Sequence, residues 1–199
     1  DLGNLPMANE QAILHGRISA VSPVRAGEPC ASVVRLTLYD RKRDPLPGRT
    51  LQIQAVPESG VRIIQPSAPT DSKGQAFGLV YSSVAEKKNI RFYIDGSQDS
   101  LALDSACVAD FVPLSDSTAK DTAAPVLLSV NDYGNTSGTS GPYVIKAGAV
   151  DNFPLSARLF WSVEGGVSNS IDMLNTPGTT EYSASIPGQS AGSKINYFV

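Results

Sequence analysis

Histidine is almost missing from this chain of 199 residues: there is one, His15, and only two cysteines, Cys30 and Cys107. Catalytic triads and most zinc sites place an imidazole beside a nucleophile or further ligands. No partner set accompanies His15, which reads as an ordinary strand residue. The cysteines form no C-x-x-C pair, which disfavours zinc and thioredoxin-like chemistry. No G-x-S-x-G elbow, P-loop or G-x-G-x-x-G run is present, so neither an enzyme nor a cofactor is expected. Charged residues are only 18% of the chain, below the roughly 25% of an average soluble protein, which argues against disorder and coiled coil. The net charge of −3 leaves no basic footprint for neutralising phosphates, so nucleic acid is not an expected partner. No stretch approaches the roughly 20 consecutive apolar residues that span a bilayer, and membrane insertion is not expected either.

What is plentiful is turn chemistry. Glycine (17) and proline (14) exceed ordinary usage and are scattered, which divides the chain into many short elements. The segments between them are β-branched or aromatic with a period of two, the signature of strands. Seven are read at 12–22, 31–40, 49–57, 61–66, 75–83, 88–96 and 101–113, enough for one sandwich. A polar, small-residue stretch at 114–125 then breaks the pattern. Six more strands follow at 126–132, 143–151, 157–163, 169–174, 181–187 and 194–199. No helix is convincing. The expectation is an all-β chain of two tandem immunoglobulin-like β-sandwiches, the second lacking its final strand. The boundaries are a linker at 1–9, a domain at 10–113, a linker at 114–122 and a domain at 123–199. The opening at Asp1, with no basic and apolar leader, reads as a mature or excised piece.

Two ordered stretches of the first domain carry a resemblance. DRKRDPLPGRTLQI (Asp40–Ile53) sets a charged turn and a Pro-x-Pro-Gly run before a strand, and TDSKGQAFGLVYSS (Thr70–Ser83) follows with a Thr-Asp-x-x-Gly-x-Ala turn. Together they resemble the bacterial immunoglobulin-like repeats of invasin and intimin type, over about residues 10–113. Physically, Pro45 and Pro47 exclude helix, Gly48 and Gly74 suit turns, and Asp71 can close an Asx-turn. The second domain, about 121–199, is similar to a bacterial fibronectin type III-like or immunoglobulin-like module. It does so through DTAAPVLLSV, AVDNFPLSARLFWSVEGG and YSASIPGQSAGSKINYFV. The resemblance implies a bacterial, secreted or surface location and a spacer or adhesion role. Its partners would be a cell-surface protein, a polysaccharide, or neighbouring domains of the same parent chain. The alternative is an accessory region of a secreted hydrolase.

Cys30 and Cys107 are no part of that family pattern. Alternation puts Cys30 in phase with Val34, Leu36 and Leu38, and Cys107 in phase with Leu101 and Leu103, so both sulfurs are read as pointing into one core. A disulfide would contribute roughly 4–5 kcal/mol in the chain-entropy model, and two buried thiols are the alternative. No metal site is expected, but a calcium ion, which gathers hard oxygen ligands, would look first to Asp121, Asp132 and Asp151. Alternation on ARLFWSV sends Leu159, Trp161 and Val163 inward and Phe160 outward. Phe160 and Tyr133, the two rings read as exposed, are the candidate ligand contacts. The run Arg41, Lys42 and Arg43, between Asp40 and Asp44, reads as a solvated turn.

Overall fold

The structure is a computed structural model that describes residues 15–27, 29–40, 42–96 and 107–199. The chain folds into two compact units. The first holds the described residues up to Ala26 and Ser32–Lys120, and the second holds Gly27–Ala31 and Asp121–Val199. No helix is present among the described residues.

The first unit contains β1 (His15–Ala20), β2 (Val24–Arg25), β3 (Ser32–Tyr39), β4 (Leu51–Val56), β5 (Val61–Ile64), β6 (Gln75–Ser82), β7 (Lys87–Ile94) and β8 (Cys107–Val112). They form two sheets in the orders β1-β3-β6-β5 and β2-β8-β7-β4, the strand arrangement of an immunoglobulin sandwich. Period-two alternation decides which side chains meet between the layers. In one sheet Ile18, Leu36 and Ala76 lie in register across β1, β3 and β6. In the other, Ala55, Ile90 and Cys107 lie in register across β4, β7 and β8, beside the Ile53–Phe92 pair. All of these are buried. Each fully buried Leu, Ile or Phe contributes about 1.5–3 kcal/mol relative to exposure, so this inner layer dominates the stability of the unit.

The two motif stretches tie the sandwich together at one corner. The buried Thr70 hydroxyl donates to the Leu46 carbonyl at 2.8 Å and accepts from the Arg49 N–H at 3.0 Å. Asp71 Oδ1 accepts from the Lys73 and Gln75 amides at 2.8 and 2.9 Å, the Asx-turn read from the sequence, and these amides hold its carboxyl below its ordinary pKa. Gly74, at φ 71°, lies so close to the Leu38 carbonyl and Leu46 amide that a Cβ would collide with backbone.

The second unit contains β9 (Val126–Val130), β10 (Tyr143–Val150), β11 (Ala157–Val163), β12 (Asn169–Asn175), β13 (Glu181–Ile186) and β14 (Ile195–Phe198). Their order is β14-β11-β12-β13-β10-β9. β12 links the two layers, pairing with β11 along Ala157↔Met173 to Trp161↔Asn169 and with β13 only at Leu174 and Asn175. The core between the layers gathers Tyr143, Ile145, Ala147, Leu159, Met173, Tyr182 and Ile186. β14 and β9 are the outer strands.

The expected disulfide is not formed: Cys30 and Cys107 are both thiols. Alternation carries Cys30 into the first core only if its strand reaches back to residue 30, and β3 begins at Ser32. The chain leaves the sheet before that point. Residues Gly27–Ala31 belong to the second unit, where the Ala31 N–H donates to the Asp151 carbonyl at 2.9 Å. Cys107 faces the core of the first unit, where burial pushes its thiol up to about 11. Leu101 and Leu103, used in the same reading, lie outside the described residues, as do the 1–9 linker and Arg41.

Candidate functional site

The segment after β9, from Asn131 to Pro142, is rich in Gly, Ser, Thr and Asn and has no apolar periodicity, so it forms a loop. Its conformation is fixed by side chains of the strands beneath it. Asn131 accepts from the Lys146 N–H at 2.7 Å. The Tyr197 hydroxyl, on β14, donates to the Asn131 carbonyl at 2.8 Å and accepts from the Tyr133 N–H at 3.1 Å. The Tyr143 hydroxyl, at the start of β10, donates to the Gly138 carbonyl at 2.8 Å. Asp132 Oδ1 accepts from the Gly134 N–H at 3.0 Å. On the far side Gly188 lies against the Thr139 and Ser140 carbonyls, where a Cβ would have no room.

Between this loop and the segment before β14 lies an open cleft of about 650 Å³. Tyr133, Tyr143 and Tyr197 line it. Tyr133 stands edge-on to Tyr143 with ring centroids 5.6 Å apart and planes at 75°, the preferred geometry of an aromatic pair. Tyr133 is 40% exposed, and among the described residues its hydroxyl has no hydrogen-bond partner. The other two hydroxyls are committed to the loop, so their rings are held in place. The cleft carries one acid, Asp132, and one base, Lys194, which is paired with Glu164 at 2.8 Å.

Of the two candidate contacts, Tyr133 stands in this cleft and Phe160 does not. Phe160 points away from the core and stacks on Phe198 of β14, centroids 5.0 Å apart and planes at 10°. Trp161, read as core, is half-buried against it with Leu159 fully inside, and its indole N–H is buried without a partner among the described residues. Asp151 is buried, and desolvation raises its carboxyl above its ordinary pKa, with the Asp121 charge adding to the rise. Asp132 lines the cleft, whose walls include neither of those two. Among the described residues no group of three His, Cys, Asp or Glu side chains gathers in a metal-holding arrangement. His15 opens β1 opposite Tyr39, and Lys42 and Arg43 sit in a turn where Asp40 Oδ1 accepts from the Lys42 and Asp44 amides.

Sequence reasoning missed Tyr143 and Tyr197, because a tyrosine in an inward phase reads as core and nothing local shows that its hydroxyl reaches a loop. It also missed Lys88, whose side chain is entirely buried. Its ammonium donates to the Pro57 and Ser59 carbonyls at 2.9 and 2.6 Å and to Glu86 Oε1 at 2.6 Å. The signal was present: Lys88 shares the phase of Ile90, Phe92 and Ile94.

The fold and cleft together define a class, a β-sandwich pair with a loop-end cleft. Among solved structures the chain is similar to InvD of Yersinia pseudotuberculosis (14% identity, TM-score 0.45, covering 92% of this chain and 54% of that one). It is also similar to FdeC, an Escherichia coli adhesin (11%, TM-score 0.41, 90% and 57%), and to invasin, a bacterial integrin-binding protein (15%, TM-score 0.42, 92% and 36%). The chain spans little more than half the length of the first two and about a third of invasin. No family model matches the chain, and no curated protein does.

Proposed function

We propose that this chain is a non-catalytic extracytoplasmic module of a bacterial secreted or surface protein, with the first unit serving as spacer and the second making contact with a cell surface. The observation that carries this reading is the cleft itself: an open, concave site at the loop end of a sandwich, with aromatic rings fixed before any ligand arrives. Loops held on a rigid sheet scaffold are where binding function concentrates, and prepaid ordering of contact groups raises affinity. Partners under this reading are a surface polysaccharide or protein and the adjoining domains of the same polypeptide. The test is retention of the labelled 199-residue protein on whole cells, wall preparations and insoluble polysaccharides across a salt titration. Saturable retention that survives salt is expected. Retention that vanishes as salt rises, or no retention at all, removes the contact role and leaves only the spacer.

A further inference from the structure

We propose that the cleft of the second unit binds an uncharged saccharide chain, with Tyr133 as the ring against which a sugar packs; this rests on the reading of that unit as a contact module. Size comes first. A volume of about 650 Å³ lies in the middle of the range of roughly 300–1,000 Å³ occupied by sites for small organic ligands.

Charge narrows the ligand class. The single ammonium of the walls, Lys194, is already paired with Glu164, and the single carboxylate is Asp132, so an anionic ligand finds no free cation to meet. Hydrogen-bonding capacity narrows it again. The backbone amides of Tyr133, Gly134 and Gly138 are consumed by Tyr197, Asp132 and Thr136, so these three main-chain donors are not open to a ligand. The side chains of Asn135, Thr139, Ser190 and Ser193 line the cleft, exposed and without hydrogen bonds among the described residues. They can exchange water for ligand hydroxyls at little cost, since a direct bond replaces an equivalent solvent bond.

The aromatic element completes the match. Sugar rings carry apolar C–H faces between polar hydroxyl rims, and a tyrosine offers a flat apolar body with a polar tip. Tyr133 is the open ring of the three, and it stands edge-on to the buried Tyr143. Asp132 keeps one carboxylate oxygen outside the Gly134 contact, an acceptor for a pair of sugar hydroxyls next to that ring.

The test is titration calorimetry of the intact 199-residue protein against a panel of neutral hexasaccharides (cellohexaose, mannohexaose, xylohexaose and chitohexaose), with a polyuronate hexamer as the charged control. One or more neutral members should bind and the polyuronate should not. Tyr133→Ala should weaken that binding about tenfold or more, the loss of an aromatic anchor worth over about 1.4 kcal/mol. Tyr133→Phe should retain most of it, and Val167→Ser, outside the cleft, should change nothing. An unchanged thermal melt for each variant separates a lost contact from a lost fold. Binding that ignores Tyr133→Ala overturns the assignment. So does a silent panel with cell retention intact, or capture of an alternating apolar peptide along β14 instead; both leave the contact role standing. Loss of cell retention altogether is the separate failure of that role.

Discussion

Lys88 shows what one residue can hold together. A buried ammonium is costly unless every proton has an acceptor, and here two carbonyls and a carboxylate supply three. Lys88→Met would leave those acceptors facing a methyl group. The substitution should destabilise the first unit by about 3 kcal/mol, read from the urea midpoint. Asp151 is the opposite case, a buried carboxyl whose folded pKa is raised, chiefly by desolvation. The folded state then binds more protons than the unfolded one in the window from the ordinary carboxylate range up to the raised value. Stability must fall as pH climbs through that window. Asp151→Asn removes the titrating group, so the melting temperature of the variant should lose this decline between acid and neutral pH, and scanning calorimetry across that range reads it. The thiols make a third residue-scale statement. Because Cys30 and Cys107 are not bonded, mass analysis after alkylation in denaturant without reductant should show two adducts. In the native protein Cys107 should alkylate slowly, since burial keeps its thiol protonated at neutral pH.

At the scale of elements, most of the fold could be read from the sequence because strands advertise themselves twice, by alternation and by the turn residues that fence them. The observed β3, β6 and β11 fall within their expected spans. The exceptions have physical causes. β2 is two residues long, Val24–Arg25, too short to show a period, and exists because Val24 lies parallel to Phe111 of β8. The run Gly27–Ala31 carries no sign of joining the second unit, since membership there depends on a main-chain bond to Asp151, distant in sequence. That displacement undid the disulfide argument. The corner built by Thr70, Asp71 and Gly74, by contrast, was legible as turn chemistry. Gly74→Ala should cost about 1–3 kcal/mol, from strain at positive φ and from backbone contact where a methyl has no space; chemical denaturation against the parent protein measures it.

For the molecule as a whole, sequence and structure agree on architecture more fully than on the site. Two β-sandwich units follow from thirteen readable strands, since a chain of short alternating segments can bury its apolar faces only by layering sheets. The cleft, however, is a property of three tyrosines that come from a loop, the start of β10 and the last strand. Of the three, only Tyr133 was named beforehand, as a ring read as exposed. The other two were concealed by the rule that places inward aromatic residues in the core. The central claim is that this cleft makes the contact. Its most direct measurement is the binding isotherm of the fluorescently labelled protein on intact cells, compared with that of Tyr133→Ala at matched thermal stability. Saturable binding by the parent, with the variant weakened about tenfold, is the predicted result. Superimposable saturable isotherms would contradict the account, since the contact would then lie elsewhere than at this cleft.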